Sequence, residues 1–248
     1  MTLASVSVGD GPPVLLVPGY TGSKEDFRLL LQPLADAGYR AVAYDQRGQY
    51  ESPGPDDPAS YTVEALAGDL LELADELGPV HLVGHSFGGL VSRAAVIREP
   101  AAFRSLTLLD SGPAALTGPR VDALPFLRPL LEQGGLVAVA DALDAVAPVG
   151  DSPELRAFLR TRFLRNSPIG LVAMADALTT EPDRVDELAT AGVPVQVVYG
   201  AADDAWSPAT QAEMAARLGA RVVVIPDALH SPAVENAAAT VEALLSFF

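Results

Sequence analysis

The stretch HLVGHSFGGL, His81–Leu90, decides how the rest of this chain is read. It opens on an apolar run without polar alternation, the pattern of a strand buried on both faces of a parallel sheet. Leu90, Val91, Ala94 and Ala95 follow at helical spacing. Between the two lies Gly84-x-Ser86-x-Gly88. A chain that turns sharply from strand into helix holds the serine at the corner strained and exposed. Glycine is needed two residues to either side, because a Cβ there would meet neighbouring backbone. The competing reading is a glycine-rich turn with an ordinary capping serine. The strand before and the helix after favour the sharp elbow.

Working outward, short apolar runs alternate with longer amphipathic ones. Strands are expected at Thr2–Val8, Val14–Val17, Ala41–Tyr44, Val80–Val83, Leu106–Leu109, Val195–Tyr199 and Val222–Ile225. Ser23 and Asp26 have capping-box spacing and open a helix to about Ala37. From Thr62 to Leu77, Leu66, Leu70, Leu73 and Leu77 form an apolar stripe, with Glu64, Asp69, Glu72, Asp75 and Glu76 left for water. The last helix is expected from Pro232 with Ser231 as its cap. Such alternation implies an α/β fold: a mostly parallel sheet in three α/β/α layers. One interval breaks the rhythm. Between Gly112 and Gly192 no strand is evident, helical segments lie at Glu154–Leu164 and Leu171–Leu178, and prolines including Pro119, Pro125, Pro148 and Pro168 punctuate the run. The expected organisation is one core built from residues 1–111 and 193–248, with a helical insertion at 112–192 on top of the sheet.

Composition narrows the function classes. The 248 residues suit one large α/β domain. The absence of cysteine removes disulfides, thiolate metal sites and cysteine nucleophiles together. A net charge of −16 argues against binding nucleic-acid phosphates. The opening residues show no basic segment followed by an apolar run, and no apolar stretch is long enough for a bilayer. The expectation is an intracellular, cytoplasmic protein without nucleic-acid or membrane partners.

A serine hydroxyl needs a base to become a useful nucleophile. There are three histidines. His81 lies within the strand, and His85 is expected to project away from Ser86 and support the turn. His230 stands just beyond the Val222–Ile225 strand, in a carboxyl-end loop where active sites of parallel sheets gather, and is taken as the base. A carboxylate should orient it. Asp203 and Asp204 follow the Val195–Tyr199 strand; the strand end favours Asp203, Asp204 is the alternative, and Asp110 ends the preceding strand as a third candidate. Two N–H donors are needed for an oxyanion, and the backbones of Phe87 and Tyr20 are the candidates, with Gly19 letting the Pro18–Ser23 loop approach.

The segments VLLVPGYTGS, YDQRGQYES, LVGHSFGG, VVYGAADDAWSP and ALHSP together resemble the α/β-hydrolase superfamily over essentially the whole chain. The family's His-Gly loop reads Pro18-Gly19 here, and its Asp-x-Arg-Gly-x-Gly-x-Ser loop is matched by Asp45, Arg47, Gly48 and Ser52, with Tyr50 in place of a glycine. Asp45 and Arg47 read as loop-organising. The interval 112–192 corresponds to the family's variable cap. The resemblance implies that Ser86 attacks a carbonyl, His230 accepts its proton, and water resolves the acyl-enzyme, with no metal or organic cofactor. A serine at the elbow argues against dehalogenase and epoxide-hydrolase chemistry, for which family members use aspartate. The default substrate is a small ester, thioester or lactone, a small-molecule acyl compound, with Tyr20, Phe126, Leu130, Phe158, Phe163 and Met174 as candidate pocket residues.

The same triad also serves carbon–carbon hydrolases and a menaquinone-pathway-type lyase, and the fold also serves small-molecule receptors. A cationic cluster from Arg156, Arg160, Arg162 and Arg165 would favour the lyase; a solvated helical face is the plainer reading. An intact Ser, His and Asp set weighs against a receptor.

Overall fold

Each expected apolar run is a strand in the structure, a computed structural model that describes residues 2–117, 119–146 and 152–248. The strands are β1 (Ser5–Val8), β2 (Pro13–Val17), β3 (Arg40–Tyr44), β4 (Val80–His85), β5 (Phe103–Leu109), β6 (Val195–Gly200) and β7 (Arg221–Ile225). They form one sheet in the order β1-β3-β2-β4-β5-β6-β7, parallel except for β1, which runs antiparallel to β3. β5 begins at Phe103, three residues before the apolar run, because Phe103 pairs with Val80.

Side chains alternate between two apolar layers, as the pleat requires. Leu15, Val17, Leu82, Leu106, Leu108 and Val197 face one core, shared with α2 (Val63–Leu77), α3 (Phe87–Arg98) and α8 (Pro208–Leu218). Val14, Leu16, Val83, Leu109, Val198 and Ile225 face the other, shared with α1 (Arg28–Asp36) and α10 (Ala237–Leu245). Each fully buried leucine or valine contributes about 1.5–3 kcal/mol of transfer free energy, which makes this sheet the rigid platform of the molecule.

The helix signals hold with local changes. Ser23 and Asp26 form the reciprocal capping box, although the first turn, Lys24–Phe27, is a 3₁₀ helix. α2 is capped by the Thr62 hydroxyl, which accepts the Ala65 N–H at 3.1 Å. Asp69, expected in water, is buried against Arg47, because the guanidinium lies close to that face of α2. Ser231 makes no side-chain cap. Instead the Glu235 carboxylate accepts the N–H groups of Leu229 and Ser231, at 2.8 and 3.0 Å. The helix then stops after the turn α9 (Pro232–Glu235), and Asn236 caps α10 afresh.

Between β5 and β6 lie a 3₁₀ segment, Pro119–Phe126, and α4 (Leu127–Ala145), α5 (Pro153–Phe163), α6 (Pro168–Thr180) and α7 (Val185–Thr190). Pro148, one of the prolines that punctuate the sequence, lies outside the described residues. α4 is broken at Gly134–Gly135, where Gly135 takes φ +64°. Leu127, Val139, Phe163, Leu171 and Ala175 make a separate small core among α4, α5 and α6. α7 lies within the 112–192 interval yet packs against α3 and α8, with Val185 and Leu188 in the main core. The interval is tied down by the buried pair of Arg93, on α3, with Glu181 at 2.8 Å; losing either partner would strand a charge at a cost of about 3–5 kcal/mol.

Candidate active site

β2 and β4 are neighbours, and Val17 stands opposite Gly84. The loops that leave their carboxyl ends, Pro18–Ser23 and the turn at Ser86, are therefore side by side. Ser86 takes φ +54° and ψ −122°, a backbone state that costs an L-residue about 1–3 kcal/mol. The flanking glycines allow it. A Cβ on Gly88 would lie 2.5 Å from the Pro18 and Val17 carbonyl oxygens, and one on Gly84 would lie 2.6 Å from the Gly88 carbonyl oxygen. The Ser111 hydroxyl also holds the corner, donating to the Ser86 carbonyl at 2.9 Å.

His230 Nε2 lies 2.9 Å from Ser86 Oγ, and His230 Nδ1 lies 2.8 Å from Asp203 Oδ1. Because a carboxylate only accepts, Nδ1 carries the proton and Nε2 offers its lone pair to the serine hydroxyl. All three side chains are buried. Burial pushes the Asp203 carboxyl up, but the hydrogen bond and charge of His230 and the Ala205 N–H outweigh it, and the group sits below the ordinary aspartate value. The neighbouring Asp204 points elsewhere, to Arg120 at 2.8 Å near the surface.

Several supporting groups were not evident in the sequence. Gln211, fully buried on α8, donates Nε2–H to Asp203 Oδ2 at 2.7 Å and to the Trp206 carbonyl at 2.8 Å. Gln46 and Gln49 donate to the carbonyls of Pro18 and Gly19 at 2.8 and 3.0 Å, and so fix the loop beside the serine. The signal for these two lay in DQRGQYES, which carries two glutamines in a loop otherwise judged by its charges. Asp45 and Arg47 do organise that loop, but not as a pair. Asp45 accepts the Lys24 backbone N–H and ammonium at 2.7 and 3.0 Å, while Arg47 binds Asp69 in α2. Tyr50, where a glycine is usual, takes φ +44° and lies under the Lys24 ammonium.

His85 does not project away from the site. It lines the cavity beside Ser86, and its Nε2–H donates to the His230 carbonyl at 2.7 Å. Burial, with His230 alongside, lowers it to about 4, so it is a neutral brace for the His230 loop. His81 bonds to Ser105 at 2.8 Å within the sheet, away from this centre.

Phe87 follows Ser86 directly in the chain, and Tyr20 follows the glycine that packs against it. A Cβ on Gly19 would lie 3.0 Å from Ser86 Cβ and 3.4 Å from its Oγ, so the preceding loop approaches as closely as its glycine permits. Among the described residues, neither the Tyr20 nor the Phe87 N–H is engaged in a turn or loop hydrogen bond. The Tyr20 hydroxyl reaches the Leu171 carbonyl in α6 at 3.2 Å.

A family model described as the alpha/beta hydrolase family matches residues 14–243. The chain belongs to the α/β hydrolase family. Among curated α/β hydrolase relatives, epoxide hydrolase 3 from Siraitia grosvenorii is 37% identical over 49% of this chain and 38% of its own length. A putative carbamate hydrolase RutD from Variovorax paradoxus (strain S110) is 40% identical over 41% of this chain and 39% of its own. The chain thus spans less than two-fifths of each of these relatives. A thermophilic esterase from Thermogutta terrifontis superposes with a TM-score of 0.83 at 28% identity, covering 98% of this chain and 92% of the esterase. The enol-lactonase from Burkholderia xenovorans LB400 gives 0.83 at 26%, covering 99% and 95%.

Above Ser86 and His230, this α/β hydrolase has a cavity of about 790 Å³, partly open to solvent, between the sheet edge and α4–α6. Its walls are mainly apolar, with Leu124, Phe126, Leu130, Val139 and Phe163 among them, and Tyr20 lies close to the serine. Phe158 and Met174, expected to line it, do not. The Phe158 ring turns out against Tyr50, and Met174 is buried in the main core within reach of Gln49. Each of these apolar side chains could equally have been core, and a sequence does not say which helix face turns to the cavity: Phe163 of α5 lines it, whereas Met174 of α6 is core. Of the four cap arginines, only Arg162 lines the cavity, and it is paired with Asp26. Arg160 is held by Asp141 and Asp144, and Arg165 by Glu51. No helix among the described residues is long and apolar enough to cross a membrane.

Proposed function

We propose that this α/β hydrolase is a serine hydrolase acting on esters, thioesters or lactones whose acyl or alcohol part is apolar and of moderate size. The observation that carries the reading is the continuous relay Ser86–His230–Asp203, at 2.9 and 2.8 Å, at the foot of an apolar cavity. His230 takes the Ser86 proton as Oγ attacks the carbonyl carbon. The Tyr20 and Phe87 N–H groups hold the resulting oxyanion, and Asp203 stabilises the imidazolium. His230 then protonates the leaving group, an acyl-serine forms, and water activated by the same histidine releases the acid.

A cavity of about 790 Å³ is in the range that encloses drug-sized ligands, so medium-length acyl groups should outperform acetate. The ion-paired state of Arg160, Arg162 and Arg165 weighs against a polyanionic substrate and hence against the lyase. Ser86, where aspartate would be the epoxide-opening nucleophile, weighs against the activity for which some relatives are named.

The test is turnover of p-nitrophenyl acetate, butyrate and octanoate by the protein and by Ser86→Ala. Serine-dependent turnover that rises from acetate to octanoate is expected. Absence of any serine-dependent ester turnover would overturn the proposal.

A further inference from the structure

Asp110 ends β5 and has no task in the relay, yet it is fully buried beside it. Its backbone is held at φ +46°, with its N–H bonded to the Val198 carbonyl at 2.8 Å. Oδ1 accepts the Gly200 N–H at 2.9 Å, while Oδ2 has no donor. Carboxyl oxygens of Asp110 and Asp203 and a ring nitrogen of His230 all lie within 4.8 Å of one another. Two buried carboxyls so close cannot both be ionised cheaply. Donors decide which keeps the charge. Asp203 receives His230, the Ala205 N–H and Gln211, whereas Asp110 receives Gly200 alone. On that count the proton falls to Asp110, whose donorless Oδ2 is the oxygen left to carry it.

We propose that Asp110 is a neutral carboxylic acid that hydrogen-bonds the Asp203 carboxylate and so positions the acid of the relay. It touches no substrate and is a positioning residue. The charged groups that face it are Asp203 from the β6 loop, His230 from the β7 loop and, farther off, Glu235 of α9. Burial first, then the Asp203 charge, hold its carboxyl well above the ordinary aspartate range, in keeping with the geometry. A neutral partner is useful here. It adds a donor to Asp203 without adding a second negative charge that would bind the His230 proton too tightly to return it to a leaving group.

The role rests on the serine hydrolase reading, but the protonation state does not, so the two are measured separately. In wild-type protein carrying aspartate labelled with ¹³C at the side-chain carboxyl, one resonance should keep the shift of a protonated carboxyl at pH 7, and it should be missing in Asp110→Asn. If every aspartate resonance is that of a carboxylate at pH 7, the proposal is overturned, whether or not any variant folds. For activity on p-nitrophenyl butyrate, Asp110→Asn keeps a donor and an acceptor of the same shape. Its kcat should stay within about threefold of wild type and its acidic limb unmoved. Asp110→Ala should lose about tenfold or more in kcat with little change in KM, the scale of one hydrogen bond to a charged group. A downward shift of the acidic limb in Asp110→Asn would mean that a negative charge had been removed, and would overturn the proposal. A protonated Asp110 in a protein without esterase activity would keep the pair and discard the proposed function.

Discussion

Replacing Gln211 with leucine tests whether the relay depends on its buried surroundings. The side chain is fully buried, and its amide donates at 2.7 Å to Asp203 Oδ2 and at 2.8 Å to the Trp206 carbonyl, while its own Oε1 has no partner. Leucine has nearly the same volume, so packing is largely conserved and both donors are lost. The bond to a carboxylate is of the class worth about 1.5–3 kcal/mol, and the neutral one adds about 0.5–1.5 kcal/mol. Removing the partnerless Oε1 gives part of this back. A net destabilisation of about 2–3 kcal/mol is expected, which for a protein of this size lowers the melting temperature by roughly 4–12 °C. Asp203 would also be held less firmly, and if about half of the charged bond is felt in the transition state, kcat should fall roughly 3- to 12-fold. The assays are a thermal melt and steady-state kinetics on p-nitrophenyl butyrate. A melting point within 1 °C of wild type, with unchanged kcat, would refute the reasoning. Loss of stability with unchanged kcat would confine the Gln211 hydrogen bonds to holding the fold.

Asp203→Asn should leave the fold intact and cut kcat by about 10⁴-fold through the wrong His230 tautomer, whereas Asp204→Asn, which breaks only the exposed pair with Arg120, should change kcat less than about twofold; the large loss in Asp204→Asn and the small one in Asp203→Asn would reverse the assignment. Gly88→Ala places a methyl 2.5 Å from two backbone carbonyl oxygens, so the soluble yield or melting temperature should drop sharply, and a normal melt would contradict the close approach. Linkage gives a further test at position 110. Because the folded Asp110 value lies above the unfolded one, its favourable contribution is complete below the unfolded value and is lost as pH rises toward the folded one. The stability of Asp110→Asn relative to wild type should therefore increase between pH 5 and 8, by at most about 1.4 kcal/mol per pH unit, and parallel stability profiles would count against it. Asp203 works in the opposite sense: lowered in the fold, it should withdraw stability as pH falls below the ordinary aspartate value, visible as a falling melting temperature that Asp203→Asn attenuates.

Much of this molecule was legible because a parallel sheet leaves its strands no solvent face. VLLV, HLVG and VVVI need no polar alternation, and the glycines around Ser86 mark a turn that few other residues allow. His230 could be reached because the chain offers three histidines. What stayed hidden depends on direction and distance, not on residue type. Asp203 and Asp204 are adjacent in sequence, and only the fold turns one toward the imidazole and the other toward Arg120. Asp69 looked like a surface acid until Arg47 reached it from another loop. Gln46, Gln49 and Gln211 act through amides that are chemically anonymous in a sequence. The final helix is interrupted at Asn236, where Glu235 turns back to accept the nearby Leu229 and Ser231 N–H groups and Asn236 starts a new cap, side-chain-to-backbone bonds that helix propensity does not register.

The strands on either side of the helical interval are direct neighbours: Leu106 pairs with Val195 and Leu109 with Val198, and the Leu106 N–H bonds to the Pro194 carbonyl at 2.9 Å. Because the two strands run parallel, the chain leaves at the carboxyl end of β5 and re-enters at the opposite end of β6, with α7, packed on α3 and α8, as the crossover and α4–α6 as the excursion carried on it. Such an arrangement behaves as a cassette. The roof of the cavity can be lengthened, shortened or exchanged while the sheet edge that carries Ser86, Asp203 and His230 keeps its register, so selectivity and chemistry are free to evolve, or be engineered, on separate schedules.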